Sequence, residues 1–185
     1  MKGFKNANIY IEGKGIVKSS LVIENGKIAS FDETKDLMTL REDLIVVPGF
    51  IDKHIHGANH SDAMYPSLED IKNISKTIAR EGVTSYMPTT MTQSEENIDK
   101  ALKNIKEYIE KKNKDGAFVL GTHLEGPFIS PKFKGAQPEQ YIVPCSVEKF
   151  MHYQAVSGNN IKQVTLAYEE NGKDLCNYLL SQGIV

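Results

Sequence analysis

Residues 48–57, PGFIDKHIHG, stand at the point where the pattern of this 185-residue chain changes. Before them, short apolar runs flank the pair Asn25-Gly26, a typical β-hairpin turn, so residues 1–47 are predicted to form a small β-rich domain. After them, strand-like and helix-like segments alternate four times, which predicts a parallel sheet with right-handed crossovers over residues 48–185. The predicted fold class is therefore α/β, preceded by a β meander.

The four strand–helix pairs rest on apolar runs and on helix-capping residues. Strands are predicted at residues 44–51, 83–87, 117–123 and 161–167. Ser67, Ser94 and Ser146 each precede a helical pattern and are candidate N-caps. Four such units fit either an open doubly wound sheet or half of a (β/α)8 barrel. The chain has no glycine-rich phosphate-binding motif, so a nucleotide-binding sheet lacks its usual support.

The composition excludes several classes of partner. Hydrophobic residues make up 40% of the chain, charged residues 25%, and the net charge is −2, which is the balance of a soluble globular protein without a basic nucleic-acid surface. No apolar run reaches membrane-spanning length, and the N-terminus lacks the apolar core of a signal peptide. Cys145 and Cys176 lie far apart, which favours free thiols in a reducing compartment and leaves a disulfide between them as the alternative. We therefore predict a cytoplasmic protein that binds neither nucleic acid nor membranes.

Two histidines lie at the carboxyl end of the strand that residues 48–57 close. His54 and His56 are two residues apart, so both imidazoles project from the same face of the strand. Two imidazoles that converge at a strand end suit a borderline-soft divalent ion. An isolated H-x-H pair is more often two ordinary polar residues on a strand edge. Active sites of βα folds, however, gather at the carboxyl ends of parallel strands, where this pair is predicted to lie.

A second polar motif, GTHLEGP at residues 121–127, closes a later strand. His123 and Glu125 share one strand face by the same alternation. The carboxylate of Glu125 beside the imidazoles of His54 and His56 would complete an N,N,O ligand set for a metal ion. Taken alone, a glutamate such as Glu125 is more often a solvent-exposed side chain in a turn. The combination of the two motifs favours the metal site.

The loop after this strand carries the sequence KFKGAQP at residues 132–138. A loop of this length in a compact domain is usually functional or mobile. Lys132 and Lys134 either face an anion or are simply solvated. His60, which follows the first motif, is either a third ligand or an exposed loop residue. His152 lies in a predicted helix and is assigned no role.

With these motifs, the chain resembles the amidohydrolase superfamily and, within it, the N-acetylglucosamine-6-phosphate deacetylase family. Residues 48–57 resemble the first-strand metal motif of the superfamily. Residues 121–128, GTHLEGPF, resemble the metal–carboxylate motif of the deacetylase branch, and residues 134–138, KGAQP, resemble its substrate loop. Residues 88–90, PTT, also fit. The resemblance extends from the β meander to about residue 185.

The resemblance implies a fold and a site. The fold would be an incomplete (β/α)8 (TIM) barrel of about four βα units, with residues 48–185 as the first half of a metal-dependent hydrolase barrel. Residues 1–47 would be part of a β-sandwich. His54, His56 and Glu125 would be metal ligands, and Ala136 and Gln137 would contact the sugar. The metal would be a divalent ion, zinc in the first place and iron, manganese or cobalt as alternatives, with one or two ions in the full-length enzyme.

The resemblance also implies a reaction. The family removes the acetyl group from N-acetylglucosamine 6-phosphate to give glucosamine 6-phosphate and acetate. The partner would be a phosphorylated amino sugar, and the enzyme would be a homodimer in the cytoplasm.

A complete barrel takes about 250 residues, and the family's aspartate acid/base is expected beyond residue 185. No catalytic residue is therefore assigned within the chain, and the 185 residues alone are predicted to be an inactive fragment. Two alternatives stay open. One is another cyclic-amide hydrolase or a deaminase of the same superfamily. The other is a non-catalytic half-barrel that acts by assembly.

Overall fold

The computed structural model describes residues 2–32, 37–112 and 115–185. The chain divides into two compact units, Met1–Gly49 and Phe50–Val185. In the first unit, Ala7, Ile9 and Leu21 form a small buried core, and Asn25 and Gly26 have φ angles of +52° and +75°. Two consecutive positive φ angles are typical of a type I′ turn, and the predicted hairpin is confirmed. The strands of this unit are β1 (Lys2–Ile11), β2 (Gly15–Glu24), β3 (Lys27–Ser30), β4 (Met38–Thr39) and β5 (Ile45–Val46). β2 pairs antiparallel with both β1 and β3, whereas β4 and β5 pair parallel with β1.

The second unit alternates strands and helices, and the strands that alternate with the helices pair parallel. A bridge between Thr89 and His123 links the second and third strand positions. The α/β class and the four βα units predicted from the sequence are confirmed. The elements are β6 (Phe50–Ile55), β7 (Gly57–Ala58), β8 (Ser61–Asp62), α1 (Leu68–Arg80), β9 (Val83–Pro88), α2 (Glu95–Glu110), β10 (Phe118–Val119), β11 (Thr122–Glu125), a 3-10 helix (Glu139–Tyr141), α3 (Val147–Val156), β12 (Ile161–Thr165) and α4 (Lys173–Ser181). β6 pairs with β9, β9 with β10, and β11 with β12, while β7 and β8 form a small hairpin.

The third predicted strand, residues 117–123, is divided into β10 and β11. The amide of Leu120 still donates to the carbonyl of Tyr86 in β9 over 2.9 Å, whereas the amide of Thr122 donates over 2.7 Å to the carbonyl of Asn160, directly before β12. The strand is therefore irregular between these two residues. Beyond the irregularity, residues 122–125 pair with β12 on one side, and the carbonyl of His123 accepts from the amide of Thr90, after β9, over 3.0 Å on the other. This path brings Glu125 to the carboxyl end of the sheet.

The serines predicted as N-caps precede their helices as expected, and two of the three make the capping bond. The Ser94 hydroxyl accepts a hydrogen bond from the amide of Asn97, and the Ser146 hydroxyl accepts one from the amide of Lys149. Ser67 precedes α1 without a side-chain cap bond. None of the helices in the described ranges is long and apolar enough to cross a bilayer.

Two apolar clusters hold the helices against the sheet of the second unit. Burial stabilises the fold by roughly 1.5–3 kcal/mol for each large aliphatic or aromatic side chain. This packing fixes the strands whose carboxyl ends carry the polar motifs. One cluster joins α1 and α2 to β9 and includes Ile71, Ile74, Tyr86 and Ile105; the other joins α2, α3 and α4 to β11 and β12 and includes Ile98, Leu102, Leu124, Phe150, Ile161 and Leu175.

Candidate metal centre

The end of β6 is tied to the segment that follows β9, and this tie positions both histidines of the H-x-H motif. The amide of Ile55 donates to Oγ1 of Thr89 over 3.0 Å, and the amide of Thr89 donates back to the carbonyl of Ile55 over 2.8 Å. His54 and His56 flank Ile55 and project together, as the strand period predicts. Their side chains are 49% and 34% exposed, so they stay accessible to a ligand.

Glu125, at the end of β11, completes a triangle with these histidines. Its Oε2 lies 3.0 Å from Nε2 of His54 and 2.9 Å from Nε2 of His56, and the two nitrogens are 3.2 Å apart. Ligands at the zinc–nitrogen and zinc–oxygen distances of about 2.0–2.1 Å are separated by roughly 2.9 Å in octahedral and 3.4 Å in tetrahedral coordination. The three observed separations fall within this span. The structure therefore brings together the three side chains that the sequence placed at a metal site.

A hydrogen bond to the main chain determines which ring nitrogen of His56 carries a proton. Nδ1 of His56 lies 3.2 Å from the carbonyl oxygen of Thr89, and a carbonyl only accepts, so Nδ1 carries the proton. In the neutral ring, this bond places the lone pair on Nε2, the atom that lies nearest to Glu125 and would bind a metal.

Glu125 Oε2 is buried and has no hydrogen-bond partner, although two imidazole nitrogens lie within 3.0 Å. The short distances alone would suggest two ion pairs. The absence of a hydrogen bond at the buried oxygen carries more weight, because a buried carboxylate oxygen without a donor is costly. A cation held between this oxygen and the imidazole nitrogens would remove that cost. The donor set of two imidazole nitrogens and one carboxylate oxygen fits a divalent ion.

His123 lies against this cluster without facing it as a ligand. Its Nε2 is 2.8 Å from Oγ1 of Thr165 and its Nδ1 is 3.3 Å from Oγ1 of Thr89, so both ring nitrogens are engaged. The ring packs edge-on to that of His54, with centroids 4.7 Å apart. Burial, and secondarily the nearby imidazoles of His54 and His56, lowers the pKa of His123 to about 4. His123 is therefore a neutral, buried side chain that supports His54.

The substrate-loop residues predicted from the sequence lie in two environments. Ala136 is exposed, whereas Gln137 is buried and contacts Glu125. Nε2 of Gln137 donates to Oε1 of Glu125 over 3.1 Å. Lys132 is exposed and lies over the ring of Phe133, and Lys134 reaches the carbonyl of Gln137 over 3.5 Å. Contact of Ala136 and Gln137 with a sugar stays a prediction.

The other histidines lie outside the cluster. Among the described residues, the group of side chains able to hold a metal comprises His54, His56 and Glu125. His60 lies exposed in the turn between β7 and β8. Nε2 of His152, on α3, lies 2.9 Å from a carboxylate oxygen of Asp99 on α2.

Sequence reasoning missed the role of Thr89. Its amide, carbonyl and hydroxyl contact Ile55, His56 and His123, which makes it the link between the two polar motifs. The only sequence signal for Thr89 is the motif PTT at residues 88–90, directly after a strand. The neighbouring residues in the sequence do not indicate which distant residues the threonine contacts.

Comparison with known proteins agrees with this geometry. Residues 45–172 match the amidohydrolase family, a metal-dependent family of hydrolases. The chain is 37% identical to N-acetylglucosamine-6-phosphate deacetylase of Bacillus subtilis (strain 168), over 98% of this chain and 48% of that protein. It is 43% identical to the protein of that name from Lysinibacillus sphaericus, over 76% of this chain and 36% of the relative. It is also 34% identical to N-acetylgalactosamine-6-phosphate deacetylase of Escherichia coli O157:H7, over 82% of this chain and 40% of the relative.

Solved structures extend the likeness to the fold. The crystal structure of N-acetylglucosamine-6-phosphate deacetylase from Pasteurella multocida superposes with a TM-score of 0.80 and 28% identity, covering 100% of this chain and 49% of that one. The enzyme of that name from Thermotoga maritima superposes with a TM-score of 0.81 and 29% identity, covering 98% of this chain and 46% of that one. The chain thus spans about half the length of the relatives it matches. The predicted incomplete (β/α)8 barrel and the resemblance stated from the motifs are confirmed.

Proposed function

This chain belongs to the amidohydrolase family, and on that premise we propose that it supplies the first part of a metal-dependent N-acetylglucosamine-6-phosphate deacetylase. The reaction would release acetate from N-acetylglucosamine 6-phosphate and leave glucosamine 6-phosphate. The observation that carries the proposal is the convergence of Nε2 of His54, Nε2 of His56 and Oε2 of Glu125 within 3.2 Å of one another at the carboxyl ends of parallel strands. The names of the relatives support the choice of substrate.

His54, His56 and Glu125 would hold the metal in this proposal. Two imidazoles and one carboxylate suit zinc, with iron, manganese or cobalt as alternatives. A single ion fits the three atoms, and a second ion would need ligands from elsewhere. When bound, such an ion polarises the acetamide carbonyl and lowers the pKa of water at the site to about 7.

The chain's own residues would hold and orient this site. The Thr89 carbonyl keeps the proton of His56 on Nδ1, so Nε2 stays free for the ion. The side chain of His54 is 49% exposed, and the acetamide would approach the cluster from this side. Ala136 and Gln137 would border the sugar. The general acid that protonates the departing amine would come from a residue beyond position 185.

The quaternary structure and the location stay predictions as well. Free Cys145 and Cys176 support a reducing compartment, and thus the cytoplasm. A homodimer is expected by resemblance, and sedimentation equilibrium of the purified chain would test it.

A chimera would test the proposed reaction. The 185-residue chain would replace the matching part of the Bacillus subtilis relative, with which it shares 37% identity. We expect the zinc-loaded chimera to release acetate from N-acetylglucosamine 6-phosphate, and the 185-residue chain alone to release none. N-acetylgalactosamine 6-phosphate would be assayed in parallel, because one relative carries that name.

Two variants and one control complete the test. His54→Ala and Glu125→Gln are expected to reduce acetate release to background, because each removes one of the three ligands. His152→Ala, which alters a histidine outside the cluster, is expected to keep the activity. A folded, zinc-loaded chimera that hydrolyses neither sugar phosphate would contradict the proposed function.

A further inference from the structure

Gln137 joins three separate segments of the second unit through its side-chain amide. Its Oε1 accepts a hydrogen bond from the amide of Thr92, after β9, over 3.0 Å, and its Nε2 donates to Oε1 of Glu125, at the end of β11, over 3.1 Å. Gln137 itself lies on the loop that follows β11, and only 9% of its surface is exposed. Because a main-chain amide only donates, the atom facing Thr92 must be the oxygen, and the nitrogen therefore faces Glu125.

The two oxygens of Glu125 consequently have different surroundings. Oε1 receives the amide hydrogen of Gln137, whereas Oε2 faces His54 and His56 and has no hydrogen-bond partner. A hydrogen bond to one oxygen fixes the rotation of the carboxylate plane. Only one oxygen is then directed at the two imidazoles.

From this geometry we propose that Gln137 is a positioning residue, which orients Glu125 so that Oε2 alone serves as a metal ligand. The inference rests on the proposed metal site and goes beyond it, since the resemblance assigns Gln137 to the sugar. Side chains that hydrogen-bond to metal ligands typically change metal affinity by roughly 10- to 100-fold when they are removed.

The surroundings of Gln137 leave it little freedom to move. Thr92, which donates to Gln137, also packs against the backbone of Gly126, the residue next to Glu125: a Cβ atom at Gly126 would lie 2.0 Å from Oγ1 of Thr92. Lys134 Nζ lies 3.5 Å from the main-chain carbonyl of Gln137. Gln137 is therefore held by Thr92, and Thr92 in turn packs against Gly126, the neighbour of Glu125. The carboxylate of Glu125 is positioned both by its own backbone and by the side chain of Gln137.

A metal-binding measurement without substrate separates this role from a sugar contact. The 185-residue chain would be titrated with Co²⁺, followed by visible absorption, and with Zn²⁺, followed by calorimetry. Gln137→Met keeps the side-chain length and removes both hydrogen bonds. We expect it to weaken binding of both ions by roughly 10- to 100-fold. A role limited to the sugar would leave both affinities unchanged.

Gln154 provides a matched control. Its amide also bridges two segments: Nε2 donates to the carbonyl of Ile161 over 3.2 Å, and Oε1 accepts from the amide of Ile161 over 3.0 Å. Gln154→Met therefore removes comparable hydrogen bonds between α3 and β12, away from the metal cluster. We expect it to lower the melting temperature and to leave the Co²⁺ affinity of the folded protein within about twofold.

Two further variants keep the proposal falsifiable if Gln137→Met folds poorly. Gln137→Asn is one methylene shorter, cannot span both partners, and is expected to weaken metal binding in the same way. In a Glu125→Ala background, Gln137→Asn should have no additional effect on affinity, because the residue through which it acts is gone.

Three outcomes would overturn the inference. Wild-type affinity in folded Gln137→Met or Gln137→Asn would refute the positioning role while leaving the metal site intact. Equal losses of affinity in the Gln137 variants with and without Glu125 would show that Gln137 acts elsewhere. A wild-type chain that binds neither ion would remove the metal site, and the role of Gln137 with it.

Discussion

Replacing Gly126 with alanine is expected to destabilise the second unit strongly, because both the backbone and the surroundings of this residue exclude a side chain. Its φ angle is +71°, in the left-handed region, which costs an L-residue roughly 1–2 kcal/mol. An added Cβ would lie 2.0 Å from Oγ1, 3.1 Å from Cβ and 3.2 Å from Cα of Thr92, so Thr92 must move. Such overpacking typically costs about 1–3 kcal/mol. The expected loss of unfolding free energy is therefore about 2–5 kcal/mol.

Gly135 offers a control with the same backbone conformation and no steric conflict. Its φ angle is +58°, and a Cβ atom there would meet nothing within 4 Å. Gly135→Ala should therefore lose only the conformational part, roughly 1–2 kcal/mol. The difference between the two variants isolates the contact with Thr92.

Urea denaturation followed by far-UV circular dichroism would measure both variants, with linear extrapolation to water. Equal losses in the two variants, within about 0.5 kcal/mol, would refute the close approach of Gly126 to Thr92. Gly126→Ala should also weaken Zn²⁺ binding in the fraction that folds, because displacement of Thr92 releases the amide that holds Gln137.

Three further predictions concern the metal, the helix caps and a buried tyrosine. Zn²⁺ at 100 times its dissociation constant should stabilise the chain by about 2.7 kcal/mol in a thermal melt, and EDTA or Glu125→Gln should abolish this gain; a gain retained in Glu125→Gln would contradict the ligand assignment. Ser94→Ala should cost about 1 kcal/mol in urea denaturation and Ser67→Ala close to nothing, because only the former serine caps its helix with its side chain; equal costs would contradict this. Burial raises the pKa of Tyr86, so the native state keeps this proton above pH about 10, where unfolded tyrosine loses it, and stability should fall as the pH rises through that range. Tyr86→Phe should therefore flatten the alkaline loss of stability and cost about 1 kcal/mol at neutral pH for its hydrogen bonds; an unchanged alkaline slope would argue against the burial of this hydroxyl.

Much of the fold could be predicted from local patterns. The Asn25-Gly26 turn, the helix starts at Ser94 and Ser146, and the alternation of strands and helices each depend on residues close in sequence. The convergence of His54, His56 and Glu125 also followed from simple rules. Strand alternation placed each motif on one face, and parallel strands bring their carboxyl ends together.

The remaining features depend on contacts between distant segments. The third strand is divided because the amides of Leu120 and Thr122 donate to different neighbouring segments. The apolar pattern of residues 117–123 does not indicate these acceptors. The bond between Gln137 and Glu125 spans twelve residues through a loop. The resemblance assigned Gln137 a role on its motif alone, and its partners became visible only in three dimensions.

The acceptor that holds the ring of His56 is the main-chain carbonyl of Thr89. A mutation at position 89 can remove the hydroxyl that contacts the amide of Ile55 and the ring of His123, yet every amino acid brings the same carbonyl. The tautomer of His56 is therefore insulated from point mutations at that position, provided that the backbone path is kept. Loss of the Thr89 hydroxyl would instead remove the acceptor of the Ile55 amide, which helps to position both histidines. The constraint on this tautomer falls on the backbone path of the strand end, so an insertion or deletion there is expected to disturb it more than a substitution of residue 89.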